Sequence, residues 1–253
     1  MGLLIDLVNA VAGGRVQIVD LTAPLSAQTP IIGLPEPFGQ TSRFSLTEIS
    51  RYDERGPAWY WNNISTGEHT GTHFDAPIHW VTGRDAADVS QVPITRLIAP
   101  AAVLDFASEA AAEPDFLLEI EHIKAWEAAH GALPDGGWLL YRTGWDARSN
   151  DDSAFINEGH TPGISAECAA WLAERAPIQG VGVETVGTDA GAAHSFEPPF
   201  PCHSFLLGHG KYGLTQLRNL DQLPPTGAVV VVAPLPIVTG SGSPARILAL
   251  VER

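Results

Sequence analysis

Gly67-Glu68-His69-Thr70-Gly71-Thr72-His73-Phe74-Asp75-Ala76-Pro77-Ile78-His79-Trp80 gathers three histidines and an aspartate into eleven residues. The four occupy positions 69, 73, 75 and 79, all of one parity. An extended chain sends alternate side chains to the same face, so even a loosely extended path points these groups one way. A helix brings 69 and 73 together but turns Asp75 roughly 200° from His73, because each residue rotates about 100°. Gly71, two β-branched threonines and Pro77 also oppose a helix. The stretch therefore reads as a strand end running into a loop.

Two neutral imidazoles and a carboxylate, His69, His73 and Asp75, make a three-point hold on a divalent metal that leaves room for water and substrate. His79 lies near that metal as the general base. Trp59, Trp61 and Trp80 flank the cluster and are candidates to stack against a planar ligand, with Trp80 the foremost of them.

His69-Thr-Gly-Thr-His73-Phe-Asp75-Ala-Pro-Ile-His79 resembles the H-x-G-T-H-x-D-x-P-x-H signature of the cyclase family of metal-dependent hydrolases. That family includes bacterial kynurenine formamidases and isatin hydrolases. Further matching pieces are Val19-Asp20-Leu21-Thr22, Gly182-Val183-Glu184-Thr185, His203-Ser-Phe-Leu206-Leu207-Gly208 and Asn219-Leu220-Asp221, which together span most of the chain. The resemblance implies one swivelling β/β/α domain over residues 1–253, a homodimer or higher assembly, and a small aromatic amide as substrate.

Members that bind two metals use a later histidine, matched by His203, and a glutamate about a dozen residues on. Here that stretch reads Leu214-Thr215-Gln216-Leu217, so Thr215 stands where the carboxylate is expected. Gln216 then becomes a candidate fourth ligand to a single ion, and the mixed nitrogen and oxygen set favours manganese over zinc. His203 and His209 are candidates for a proton route or for supporting the ligands. The change at 215 and the tryptophans favour isatin hydrolase, in which metal-activated water opens the lactam of isatin to isatinate. The alternatives are an arylformamidase acting on N-formylkynurenine and a noncatalytic metal- or ligand-binding protein on the same fold.

Composition bounds the remaining classes. A net charge of −15 argues against nucleic acid or an anionic membrane as partner. Cys168 and Cys202 have no metal-finger spacing and suggest no disulfide framework. No run of ~18 apolar residues is present to span a membrane. The first eleven residues lack the basic start of a targeting signal, so a cytoplasmic protein is expected.

The periodicities predict an amphipathic N-terminal helix over 1–11 and helices over 114–130 and 165–175. Strands are expected over 15–21, 43–49, 101–106, 138–142, 179–183, 227–234 and 246–251. Residues 149–162 read as a surface excursion, and 240–244 as a turn-like run. The order of elements specifies a mixed α/β domain with no Gly-rich phosphate fingerprint.

Overall fold

The computed structural model describes residues 2–253; Met1, where the expected N-terminal helix begins, lies outside them. Leu3–Ala12 forms α1, stopped by Gly13 and Gly14, the latter at φ +73. Val16–Asp20 is β1, and Ser45–Arg51 (β2) pairs antiparallel with Tyr60–Ser65 (β3) alone. That pair forms an arm outside the main sheet.

His73–Asp75 (β4), Ile98–Asp105 (β5), Trp138–Arg142 (β7), Gly180–Val183 (β9), Tyr212–Thr215 (β10), Ala228–Pro234 (β11) and Gly242–Glu252 (β12) belong to the main sheet. Ala107–Ala112 (α2), Leu117–Leu118 (β6), Ile120–His130 (α3), Asp152–Ile156 (α4), Gly163–Ile164 (β8) and Ala166–Glu174 (α5) fill the connections. The neighbours run β12, β11, β5, β7, β9, β10, β4, and the start of β12 returns to pair with β4. Seven strands thus close a mixed barrel, parallel from β5 through β10 and antiparallel elsewhere, with β1 added to the far half of β12.

Alternation along each strand divides the core in two. Phe74, Val103, Trp138, Leu140, Leu214, Val230 and Ile247 fill the barrel. Ala102, Leu104, Leu139, Tyr141, Val181 and Val183 face outward, where they pack against Ile123 and Trp126 of α3 and Leu172 of α5. The Gly-Val-Gly-Val of β9 follows from this division. A Cβ on Gly180 would stand 2.4 Å from the Trp138 ring, and one on Gly182 would stand 2.6 Å from Leu140 Cδ2. Only hydrogen fits on the inner face there.

The mixed α/β class and most of the expected elements are present, with three corrections. The helix expected over 114–130 begins at Ile120, because Leu117 and Leu118 instead pair with Gly163 and Ile164. Glu119 then caps it, its side chain accepting from the N3 backbone while its own N–H donates to His122 Nδ1. The 240–244 run is not merely a turn, since β12 starts at Gly242 and its first residues pair with β4. The excursion over 149–162 holds α4, anchored by buried Phe155. Among the described residues, no helix is long and apolar enough to cross a membrane.

Candidate metal centre

The site grows from β4. Phe74 points into the barrel, fully buried with its ring 5.1 Å from that of Tyr212, so alternation turns His73 and Asp75 to the opposite face. Both strands flanking Asp75 place a glycine opposite it, Gly213 on β10 and Gly242 on β12. A Cβ on Gly213 would lie 2.6 Å from Asp75 Oδ2, and one on Gly242 would lie 2.5 Å from the His69 ring. The two glycines make room for the carboxylate and its first imidazole.

The remaining histidines arrive through turns rather than an extended path. Gly71, at φ +69, folds the chain back so that His69 Nδ1 comes within 2.8 Å of Asp75 Oδ1. The short 3-10 turn Pro77–His79 lays the His79 ring over that of His69, with centroids 3.8 Å apart. Atoms of His69, Asp75 and His79 able to ligate an ion all lie within 4.8 Å of one another. His73 Nε2 stands 3.3 Å from the same Asp75 oxygen.

Hydrogen bonding indicates where the ring protons sit. The Ser241 hydroxyl donates to Glu68 Oε2 at 2.6 Å, so at 2.8 Å from His69 Nε2 it accepts from that nitrogen. His69 therefore aims the lone pair of Nδ1 at Asp75. The Gly71 carbonyl, 2.7 Å from His73 Nδ1, can only accept, so the proton of His73 sits on Nδ1 and the lone pair of Nε2 also faces Asp75 Oδ1. Two imidazole lone pairs converging on one carboxylate oxygen repel unless a cation lies among them. The residues thus fit a divalent ion, with outer partners orienting each ring.

Burial alone would raise the carboxyl of Asp75, but positive charge and donated hydrogen bonds at the His73 and His69 rings outweigh it and hold it well below the usual carboxylate range; with the ring lone pairs facing it, a cation among them would supply that charge instead. Burial pushes the His79 imidazole down to about 3, with Asp75 opposing only in part, so the ring is neutral at physiological pH.

Of the other residues expected here, Trp80 and His203 join the site. Trp80 lies 4.8 Å from the His203 ring and 5.7 Å from that of Phe200, and His203 lies 5.4 Å from His79. His203 is carried on a π-helical turn over Cys202–Leu207. Asp189 accepts from its Nδ1 and from the backbone N–H groups of Cys202 and His203. Burial alone would lower this imidazole, but the Asp189 hydrogen bond and charge more than offset it.

Four expected site residues have other surroundings. Thr215 pairs with His73 across β10 and β4 and brings its hydroxyl within 2.8 Å of Nδ1, while Gln216 follows the end of β10 at φ +50 and donates its side-chain amide to the Pro30 carbonyl. Trp59 and Trp61 stand half exposed on the β2–β3 arm, outside the main sheet. His209 is exposed, its Nδ1 meeting the Phe205 carbonyl at the end of the π turn, six residues beyond His203 and on solvent.

Sequence reasoning overlooked Glu68, Ser241, Asp189 and Phe200. Glu68 sat inside the opening stretch without a role, and Ser241 lay in a run that looked like a turn. Glu184, in the matched Gly182–Thr185 piece, is structural: its carboxylate accepts from the N–H groups of Thr143 and Trp145 and pins the turn after β7. Burial and the nearby Asp146 push it up to about 7.

The Cyclase family model matches residues 19–190. The isatin hydrolase of Roseibium aggregatum is 46% identical over 247 residues, covering 95% of this chain and 94% of that protein. Isatin hydrolase A from Ralstonia solanacearum superposes with a TM-score of 0.96 at 47% identity, covering 100% of this chain and 98% of that one. An isatin hydrolase bound to the product analogue thioisatinate superposes with the same score of 0.96 at 44% identity, with both chains covered in full.

Proposed function

The chain belongs to the cyclase family, and from that premise we propose that it is a metal-dependent hydrolase that opens the lactam ring of isatin to isatinate. The observation that carries this reading is the single oxygen, Asp75 Oδ1, faced by two imidazole lone pairs beside the contacting rings of His79, His203, Trp80 and Phe200. Its similarity to isatin hydrolases along the whole chain supplies the substrate class.

His69, His73 and Asp75 would hold one divalent ion, and manganese suits their mixed nitrogen and oxygen set at least as well as zinc. Such an ion would supply Lewis acidity, polarising the amide carbonyl and lowering the pKa of water. Thr215 offers a hydroxyl where a second ion would need a carboxylate, which favours a single ion. His79, neutral and stacked over His69, takes the proton of the attacking water on a ring nitrogen and returns it to the departing ring nitrogen. Trp80 and Phe200, in contact with each other beside the cluster, would stack against the planar bicycle. His203, locked through Nδ1 onto Asp189, presents Nε2 as a further proton relay.

Parallel assays of isatin and N-formylkynurenine, with elemental analysis of the same protein, test the reading. We expect manganese in the protein and a kcat/KM for isatin about 100-fold or more above that for N-formylkynurenine. The reverse order makes it an arylformamidase, and no turnover of either by metal-replete protein makes it a binding protein.

We further propose a homodimer in the cytoplasm. Leu3, Leu4 and Val8 of α1 and Leu46, Trp61 and Ile64 of the arm are all more than half exposed, and a second copy of the chain would cover such apolar side chains. Both cysteines are buried and free. Light scattering at micromolar concentration should give twice the chain mass, and a monomer there removes the dimer.

A further inference from the structure

Arg218 follows β10 and lies half buried, with its backbone N–H donated to the Leu21 carbonyl. Its guanidinium is the anomaly. Nε is buried with no hydrogen-bond partner, and among the described residues no carboxylate lies within ion-pairing distance of it. Other basic side chains also lack an acid partner, but among the described residues Arg218 is the one whose buried side-chain nitrogen has no hydrogen-bond partner of any kind. Removing a charged guanidinium donor from water without giving it an acceptor is destabilising.

The guanidinium borders a recess of about 340 Å³. Gln28, Ser149, Asn150 and Gln216 bring neutral polar groups to it, and Pro24 lends an apolar wall. Arg218 is the only charged residue in its lining. The nearby Arg43–Asp152 ion pair, which reaches the recess through the bond from Arg43 to the Thr29 carbonyl, cancels its own charge. The recess is thus locally a monocation ringed by neutral polar groups. None of His69, His73, Asp75 and His79 lines it, and Gln216 on its wall donates its amide to the Pro30 carbonyl.

We propose that this recess is a binding site for a small organic monocarboxylate, held by Arg218 with its carbon body against Pro24. A planar fork of N–H donors matches a carboxylate in two parallel hydrogen bonds. One guanidinium with neutral company, in a molecule of net charge −15, suits a monoanion better than a doubly charged phosphate. Nothing in this assignment depends on the reaction at the metal centre.

The probe is 4-bromobenzoate, whose bromine is located by anomalous scattering in soaked crystals of the metal-loaded protein. The expected result is bromine in the recess with the carboxylate on Arg218, and a solution Kd unchanged when a chelator strips the metal. Arg218→Gln should weaken that Kd by about tenfold or more while turnover without the probe stays at the wild-type rate. Should Arg218→Gln fail to fold, Asn150→Trp, on an exposed loop position at the rim, should block binding while leaving the melting temperature in place. Ordered water alone on Nε, a carboxylate from a second copy paired with Arg218, binding that disappears with the metal, or variants that bind normally would each overturn the assignment. Because the readouts are density and affinity, their failure is distinguishable from a failure of isatin turnover.

Discussion

Asp75→Asn protein is expected to leave purification without its metal and to lose at least about 10³-fold in kcat/KM for isatin. Asparagine preserves the shape of a side chain that is 1% exposed, and a Cβ on Gly213 would already stand 2.6 Å from Oδ2, so neither loss nor gain of volume confuses the outcome. What disappears is the negative charge on which the lone pairs of His69 Nδ1 and His73 Nε2 converge at 2.8 and 3.3 Å. A neutral amide offers the ion one weak oxygen, or turns its NH₂ towards the imidazoles and excludes the cation. Thermal unfolding supplies an independent reading. Added manganese should raise the melting temperature of the wild type by mass action and leave Asp75→Asn where it was. A variant that keeps its metal and turns over within tenfold of wild type would dismantle the ligand set.

His79→Ala should have a different signature: kcat for isatin falls about 10²- to 10⁴-fold while the metal content stays at the wild-type level. The ring stacks on His69 and lies 5.4 Å from His203, so its removal opens a space beside the ligands without removing His69, His73 or Asp75. Added imidazole should enter that space and restore part of the rate. Geometry makes this experiment decisive, because the ligating atoms of His79 also fall within 4.8 Å of those of His69 and Asp75. If the metal leaves together with the activity, His79 is a ligand and the proton acceptor must be sought elsewhere, with His203 on Asp189 the first to try.

The chemistry of the site was already visible in residues 69–80 because a metal needs several donors close together, and closeness along the chain is the one kind a sequence displays. Parity predicted that His73 and Asp75 would share a face, and β4 obeys it. For His69 and His79 parity was beside the point, since a left-handed Gly71 and a 3-10 turn bring them back. Gln216 lay outside the reach of parity as well. Pairing of β10 with β4 assigns Thr215 to His73, but the strand ends there, and Gln216 turns off it at φ +50.

Local pattern alone was enough for the alternating strands, the capped helix at Ala166–Glu174 and the identities of the donor atoms, because dihedral preference and side-chain chemistry act over a few residues. Folding had to supply everything that depends on distant strands meeting. Ser241 orients a histidine 172 positions earlier, two glycines from β10 and β12 clear the space for one carboxylate, and Trp59 and Trp61 stand half exposed on an arm outside the main sheet. Those outcomes follow from barrel closure, which sets neighbours by hydrogen-bond register rather than by order along the chain.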